Sequence, residues 1–160
     1  MHKTKNNSKI KIKNGLIEGK TYGFHEIIVE TRNHKKQLWN LNDKDLKEIL
    51  EVYALRIKAL SKLKNIQYVT IFKNHGPEGG TSLVHSHTQV AAIPILPQRV
   101  MEKVSSIKKK KNAYSQIIKK EAQSKRKIFE NKSTIAFCPF ASRFNYEAWI
   151  FPKRFVRNIT

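Results

Sequence analysis

A chain of 160 residues with 39% hydrophobic side chains is sized for one ordinary domain and can bury a core, which excludes wholesale disorder. Its single cysteine, Cys138, excludes an internal disulfide and a four-cysteine metal site, and no apolar run approaches the roughly 20 residues of a membrane span. The formal charge of +20, from 32 basic against 12 acidic residues, favours small phosphorylated ligands, while the lysine runs lack the interleaved aromatics of a nucleic-acid stacking platform.

In chain order, residues 1–14 read as a basic flexible arm, with Lys3, Lys5, Lys9, Lys11 and Lys13 and no acid. No apolar core of a secretory signal follows, so a cytoplasmic location and no membrane partner are expected. Gly23–Thr31 is predicted to be a strand. Asn42 is a plausible N-cap for a helix over 43–63, whose stripe of Leu46, Ile49, Leu50, Tyr53, Ile57, Leu60 and Leu63 faces a core. Gln67–Lys73 is predicted as a second strand, Asn74–Thr81 as a glycine-bearing loop, and Ser82–Ile93 as a third strand ended by Pro94 and Pro97. Residues from about 98 to 130 are expected to be largely helical, with Lys108–Lys111 exposed. Two short strands follow, over 134–139 and 146–152. Strands around one long helix, without regular alternation, favour an α+β fold with an antiparallel sheet.

Chemistry concentrates between Asn74 and Gln89. Residues two apart in a strand share a face, so His85, His87 and Gln89 should project together. The loop ahead of them, with Thr81 and Ser82, offers backbone N–H groups and hydroxyls to an anion. An imidazole beside a phosphate cradle suits nucleophilic attack on phosphorus. On the residues alone, the His-x-His pair could equally be exposed, or half of a metal site. His25 and His75 read as surface or turn residues, and Trp39 and Trp149 as core or interface aromatics. Cys138 reads as a small buried hydrophobe. Arg143 and Lys153 could approach phosphates or be solvated.

The run Asn74-His-Gly-Pro-Glu-Gly-Gly-Thr-Ser-Leu-Val-His-Ser-His-Thr-Gln89 resembles the active-site segment of galactose-1-phosphate uridylyltransferases, a branch of the histidine-triad superfamily. His25–His34 resembles that family's strand-plus-histidine element, and Cys138–Arg154 resembles the start of its second half. The resemblance implies a catalytic core over 15–97, a basic helical connector over 98–132, and the beginning of a second histidine-triad-like half over 133–160. It also implies transfer of UMP from UDP-glucose to galactose 1-phosphate through a uridylyl-histidine. His87 matches the nucleophile, and Gln89, Ser82 and Asn74 match residues at the phosphates, with Gly80 and Thr81 in the same cradle. The backbone carbonyl of His85 would orient the His87 ring.

The pattern breaks in places. His34 and His85 match two zinc ligands of the family, but this chain has no CxxC to complete them, so zinc is only half supported, and no other cofactor is implied. Phe155 stands where a histidine usually follows. The chain reads as the middle of such an enzyme, working as a homodimer or with a complementary second chain. The alternatives are another histidine-triad-type phosphorylase or adenylyltransferase, or an inactive remnant binding polyanions, nucleic acid being a weak expectation.

Overall fold

The computed structural model describes residues 11–18, 22–81, 83–110 and 112–154. They form two compact units, divided between Pro97 and Gln98. The elements are helices and antiparallel sheets, an α+β fold as the sequence implied.

The first unit opens with a hairpin, β1 (Lys11–Lys13) against β2 (Leu16–Glu18). Its turn is Asn14-Gly15, with φ of 51° and 75°, the left-handed pair that two-residue hairpins require. The last residues of the expected flexible arm are therefore a strand. The rest of the arm lies outside the described residues.

The main sheet has the order β3 (Phe24–Val29), β5 (His87–Ile93), β4 (Tyr68–Phe72), all antiparallel. The third strand begins at His87 rather than at residue 82, because the segment before it turns away towards the loop after β3. Helix α1 (Asp43–Ser61) starts at Asn42, whose side-chain oxygen accepts the Asp45 amide at 2.9 Å, while Asp43 and Asp45 oppose the positive end of the helix dipole. It packs on one sheet face. Leu60 meets Val90 and Ala92 there, with Phe24, Ile28, Ile66, Val69 and Ile71 around them. Arg56 adds a two-pronged pair to Glu26, at 2.7 and 2.6 Å, tying helix to sheet. Part of the predicted stripe misses the core: Leu50 is 58% exposed.

Strand alternation then decides what the other face carries. Val90 and Ala92 face the helix, so His87 and Gln89 face the opposite side, with their cross-strand partners Val29, Ile27 and Phe72. Ile27 and Val29 are 51% and 61% exposed, so this face is open beside the histidine strand.

The second unit contains α2 (Gln98–Lys109), α3 (Ala113–Ala122) and an antiparallel sheet ordered β6 (Lys127–Glu130), β7 (Thr134–Phe137), β8 (Trp149–Pro152). The stretch expected to be helical to about 130 thus breaks into two helices and a strand. Asn112 adopts a left-handed φ of 71° between the helices. The core is Ile135 and Phe137, with Phe137 stacked on Phe151 at 5.8 Å. Cys138 is partly rather than fully buried. No described helix is long and apolar enough to cross a membrane.

One loop in this unit gives a pH signature. Glu147 accepts the Arg143 amide at 2.6 Å, the Trp149 indole N–H at 3.0 Å and the Arg143 guanidinium at 3.0 Å. These contacts lower its pKa from 4.5 to about 2, the Arg143 amide first among them. A depressed carboxylate stabilises the fold above its unfolded value and loses that contribution as pH falls towards its folded one. The unit should therefore lose stability between about pH 4.5 and 2, with a change in Trp149 fluorescence. Glu147→Gln should flatten this part of the pH profile, and an unchanged profile would contradict the assignment.

Candidate active site

The site is built at the start of β5, where the connection from β4, residues 73–86, re-enters the sheet. His87 sits on the central strand with 6% of its surface exposed. Its Nδ1 lies 2.8 Å from the His85 carbonyl oxygen, the orienting contact the resemblance implied. A carbonyl can only accept, so Nδ1 carries the proton and the neutral ring keeps its lone pair on Nε2. That is the tautomer a nucleophile needs.

Two residues along, Gln89 meets His25 across the β3–β5 pair, with Nε2 of His25 2.9 Å from Oε1. The amide oxygen accepts from His25, which leaves the Gln89 amide nitrogen as a donor for an incoming oxyanion. His25 is exposed, as expected of a surface residue, and stands next to Gln89 on this face. The signal was available, because residues 25, 27 and 29 share a strand face with their antiparallel partners.

His85 does not project from the strand with His87 and Gln89. It lies ahead of β5, and its Nε2 donates to the Thr31 carbonyl. Its Nδ1 is then the acceptor for Nδ1–H of His34, at 2.8 Å. Nε2 on a carbonyl with Nδ1 turned to a second imidazole is an arrangement a zinc ligand can adopt, so His34 and His85 supply two donors of the implied site. Among the described residues no group of three or more His, Cys, Asp or Glu side chains could hold a metal ion. A tetrahedral site requires four donors on one point.

Asn74, Gly80 and Thr81 lie on the connecting loop. Gly80 has φ of 75°, a backbone conformation most L residues resist, and a Cβ there would come within 3.8 Å of the Asn74 amide nitrogen. The amides of Gly80 and Thr81 are taken up inside the loop, by Pro77 O at 3.0 Å and Gly76 O at 3.1 Å. Their availability to an anion, expected from sequence, is thereby lost. What the loop does hold is the buried Oγ1 of Thr81, which has no hydrogen-bond partner among the described residues. A buried hydroxyl left unpaired is costly, so a ligand oxygen there would relieve it. Ser82 lies outside the described residues. The loop is braced by Trp39, which meets His75 edge-on at 4.7 Å, and by Gln37 donating to Val84 O at 3.3 Å. Trp39 is 62% exposed and is no core aromatic. Arg143 and Lys153 are held by Glu147 and Glu130, at 3.0 and 2.7 Å, in the second unit.

Behind the strand lies a network that sequence reasoning missed. Glu30, its side chain fully buried, accepts from Lys73 Nζ at 2.9 Å, from Tyr53 at 3.2 Å, and from Ser86 and Thr88. Burial alone would raise its pKa. The bonds from Ser86, Thr88 and Lys73, with the Lys73 charge, outweigh that and hold it below 4.5. Tyr53 is pushed above 10.0 by burial and the Glu30 charge, despite its bond to Thr88. An acidic residue at the end of an apolar strand, and a lysine at the end of another, were the available signal.

Two measurements check this geometry. His25→Phe removes the donor to Gln89, so its side-chain amide NMR signals should move towards those of a free glutamine; unmoved signals would break the link. A chelator should leave the melting temperature unchanged, whereas a fall would restore a structural metal.

Residues 2–97 match the family model described as galactose-1-phosphate uridyl transferase, N-terminal domain. The chain is 33% identical over 142 residues to galactose-1-phosphate uridylyltransferase of Thermotoga maritima, covering 86% of this chain and 44% of that protein. It is 32% identical over 133 residues to ADP-glucose phosphorylase of Arabidopsis thaliana, covering 82% of this chain and 38% of that one. A solved uridylyltransferase structure superposes with a TM-score of 0.83 at 30% identity, over 95% of this chain and 50% of its own. The chain thus spans less than half the length of these two curated relatives. On the match over residues 2–97 and these identities, it belongs to the galactose-1-phosphate uridyl transferase family.

Proposed function

We propose that this chain carries the nucleotidyl-transfer centre of a UDP-glucose–hexose-1-phosphate uridylyltransferase. The observation that carries the reading is the 2.8 Å contact of His87 Nδ1 with the His85 carbonyl, which calls for the proton on Nδ1 and leaves a lone pair on Nε2. Nε2 attacks the α-phosphorus of UDP-glucose and forms a P–N bond. The bond from that phosphorus to the bridging oxygen breaks, and glucose 1-phosphate leaves with the oxygen and its electron pair. A phosphate oxygen of galactose 1-phosphate then attacks the same phosphorus, the P–N bond breaks, and UDP-galactose departs from the regenerated ring.

The remaining groups suit the charge that moves. The Gln89 amide, directed by His25, is a donor for a non-bridging oxygen. The Thr81 hydroxyl and the Asn74 amide on the loop are candidates for the pyrophosphate oxygens, together with Ser82. Donors fixed before reaction stabilise a transferring phosphoryl group without reorganisation. The high positive charge raises the local concentration of sugar nucleotide and sugar phosphate. As part of this proposal, the protein acts in the cytoplasm in galactose metabolism, as a homodimer or with a complementary chain.

A second reading is favoured by the 32% identity to an ADP-glucose phosphorylase: the same histidine takes an adenylyl group. Exposing the protein separately to UDP-glucose and ADP-glucose distinguishes the two. Intact-mass analysis should show a uridylyl adduct with the first. An adenylyl adduct alone would select the second reading. His87→Ala should lower adduct formation by more than about 10³-fold. An adduct that persists in that variant would refute both.

A further inference from the structure

We infer that Lys73 and Glu30 are positioning residues for His87: a buried ion pair behind β5 that aims the imidazole on its front. The inference rests on the reading of His87 as nucleophile. Lys73 sits just after β4, and its ammonium has three N–H groups. All three are used, on Glu30 Oε2 at 2.9 Å, Ser86 Oγ at 3.1 Å and the His87 carbonyl oxygen at 3.0 Å. Glu30 in turn binds the hydroxyls of Ser86 and Thr88. The Glu30 amide also donates to the Ser86 carbonyl at 3.1 Å, continuing the β3–β5 ladder one step beyond the strand.

Alternation gives this arrangement its meaning. Residues 86 and 88 point to the same side, and 87 to the other. Clamping both neighbours and the carbonyl between them leaves the backbone at His87 little freedom, so its Cα–Cβ direction is set. The His85 carbonyl then sets the remaining ring rotation. The side chains of Glu30 and Lys73 are 0% and 18% exposed, so the pair acts with little screening by solvent. Neither side chain needs to touch substrate. Tyr53 reaches the same cluster from α1, bonding Thr88 at 2.6 Å, which anchors the clamp to the helix side of the sheet.

The role separates from plain stability by experiment. Removing one charge leaves the other buried and alone, and such a variant can fail to fold. The variant to use is therefore Lys73→Met with Glu30→Gln, which removes both charges together, compared with Lys73→Arg and the wild type. Two readouts are taken on the full chain: the single-turnover rate of adduct formation from UDP-glucose alongside its dissociation constant, and amide hydrogen exchange along β5. The double variant should react about 100-fold more slowly, the scale of a misplaced reacting group, with the dissociation constant unchanged. Its amides at 86–88 should exchange faster while those at 90–92 do not. Lys73→Arg, which keeps a donor for the carbonyl, should recover most of the rate. A folded double variant with the wild-type rate, or with unaltered exchange at 86–88, overturns the inference. Wild-type protein that forms no adduct would refute the transfer reading instead, and the exchange comparison would still decide whether the pair holds the strand.

Discussion

The first unit is organised around one buried carboxylate. Glu30 stands where β3 ends, with its side chain out of solvent, and charge in that position is tolerated only because four side chains donate to it. Those donors come from three separate stretches: α1 through Tyr53, the end of β4 through Lys73, and the start of β5 through Ser86 and Thr88. A single ionised group thus ties helix and sheet together at the end of the sheet that bears His87. The apolar cluster around Leu60, Val90 and Ala92 supplies cohesion further along the same face. The polar cluster supplies registration. A one-residue slip of β5 would exchange its two faces, unpair the carboxylate and bury Gln89 against the helix.

The two faces of the sheet therefore have different duties. The rear face, under α1, is packed and hydrogen-bonded, and it has few degrees of freedom left. The front face holds His87, Gln89 and His25 among exposed aliphatic side chains. Rigid backing behind a strand is the arrangement in which geometry, rather than motion, would set the approach to phosphorus under the proposed function. The second unit repeats the theme of a carboxylate held by neighbours, in Glu121 with Arg126 and in Glu147 with Arg143 and Trp149.

Much of this was legible in the amino-acid sequence, and the reasons are particular. Helix α1 carried both an N-cap and a periodic stripe, and it appears within two residues of its expected end. The main strands were marked by β-branched runs between glycine, proline and asparagine. What failed was the extent of the third strand. Leu83, Val84 and the histidines look like strand residues, but hydrogen bonds from His85 to Thr31 and His34 draw the segment out of the sheet. That competition is tertiary, and no local propensity contains it. The Asn14-Gly15 turn is marked in the sequence, but the lysines around it point to an arm. Residues 98–130 look helical by composition, and composition does not register a strand such as Lys127–Glu130.

His87 was readable from spacing and resemblance as a candidate; the residues that back it were not. Glu30 and Lys73 lie 43 positions apart, and only the fold brings them together. The two groups that set the His87 ring differ in kind. Lys73 is a side chain, and a single codon change removes it. The acceptor at Nδ1 is a main-chain oxygen of residue 85. Every amino acid supplies that oxygen, so what a substitution at residue 85 changes is its place, which the bonds of the His85 ring to Thr31 and His34 hold.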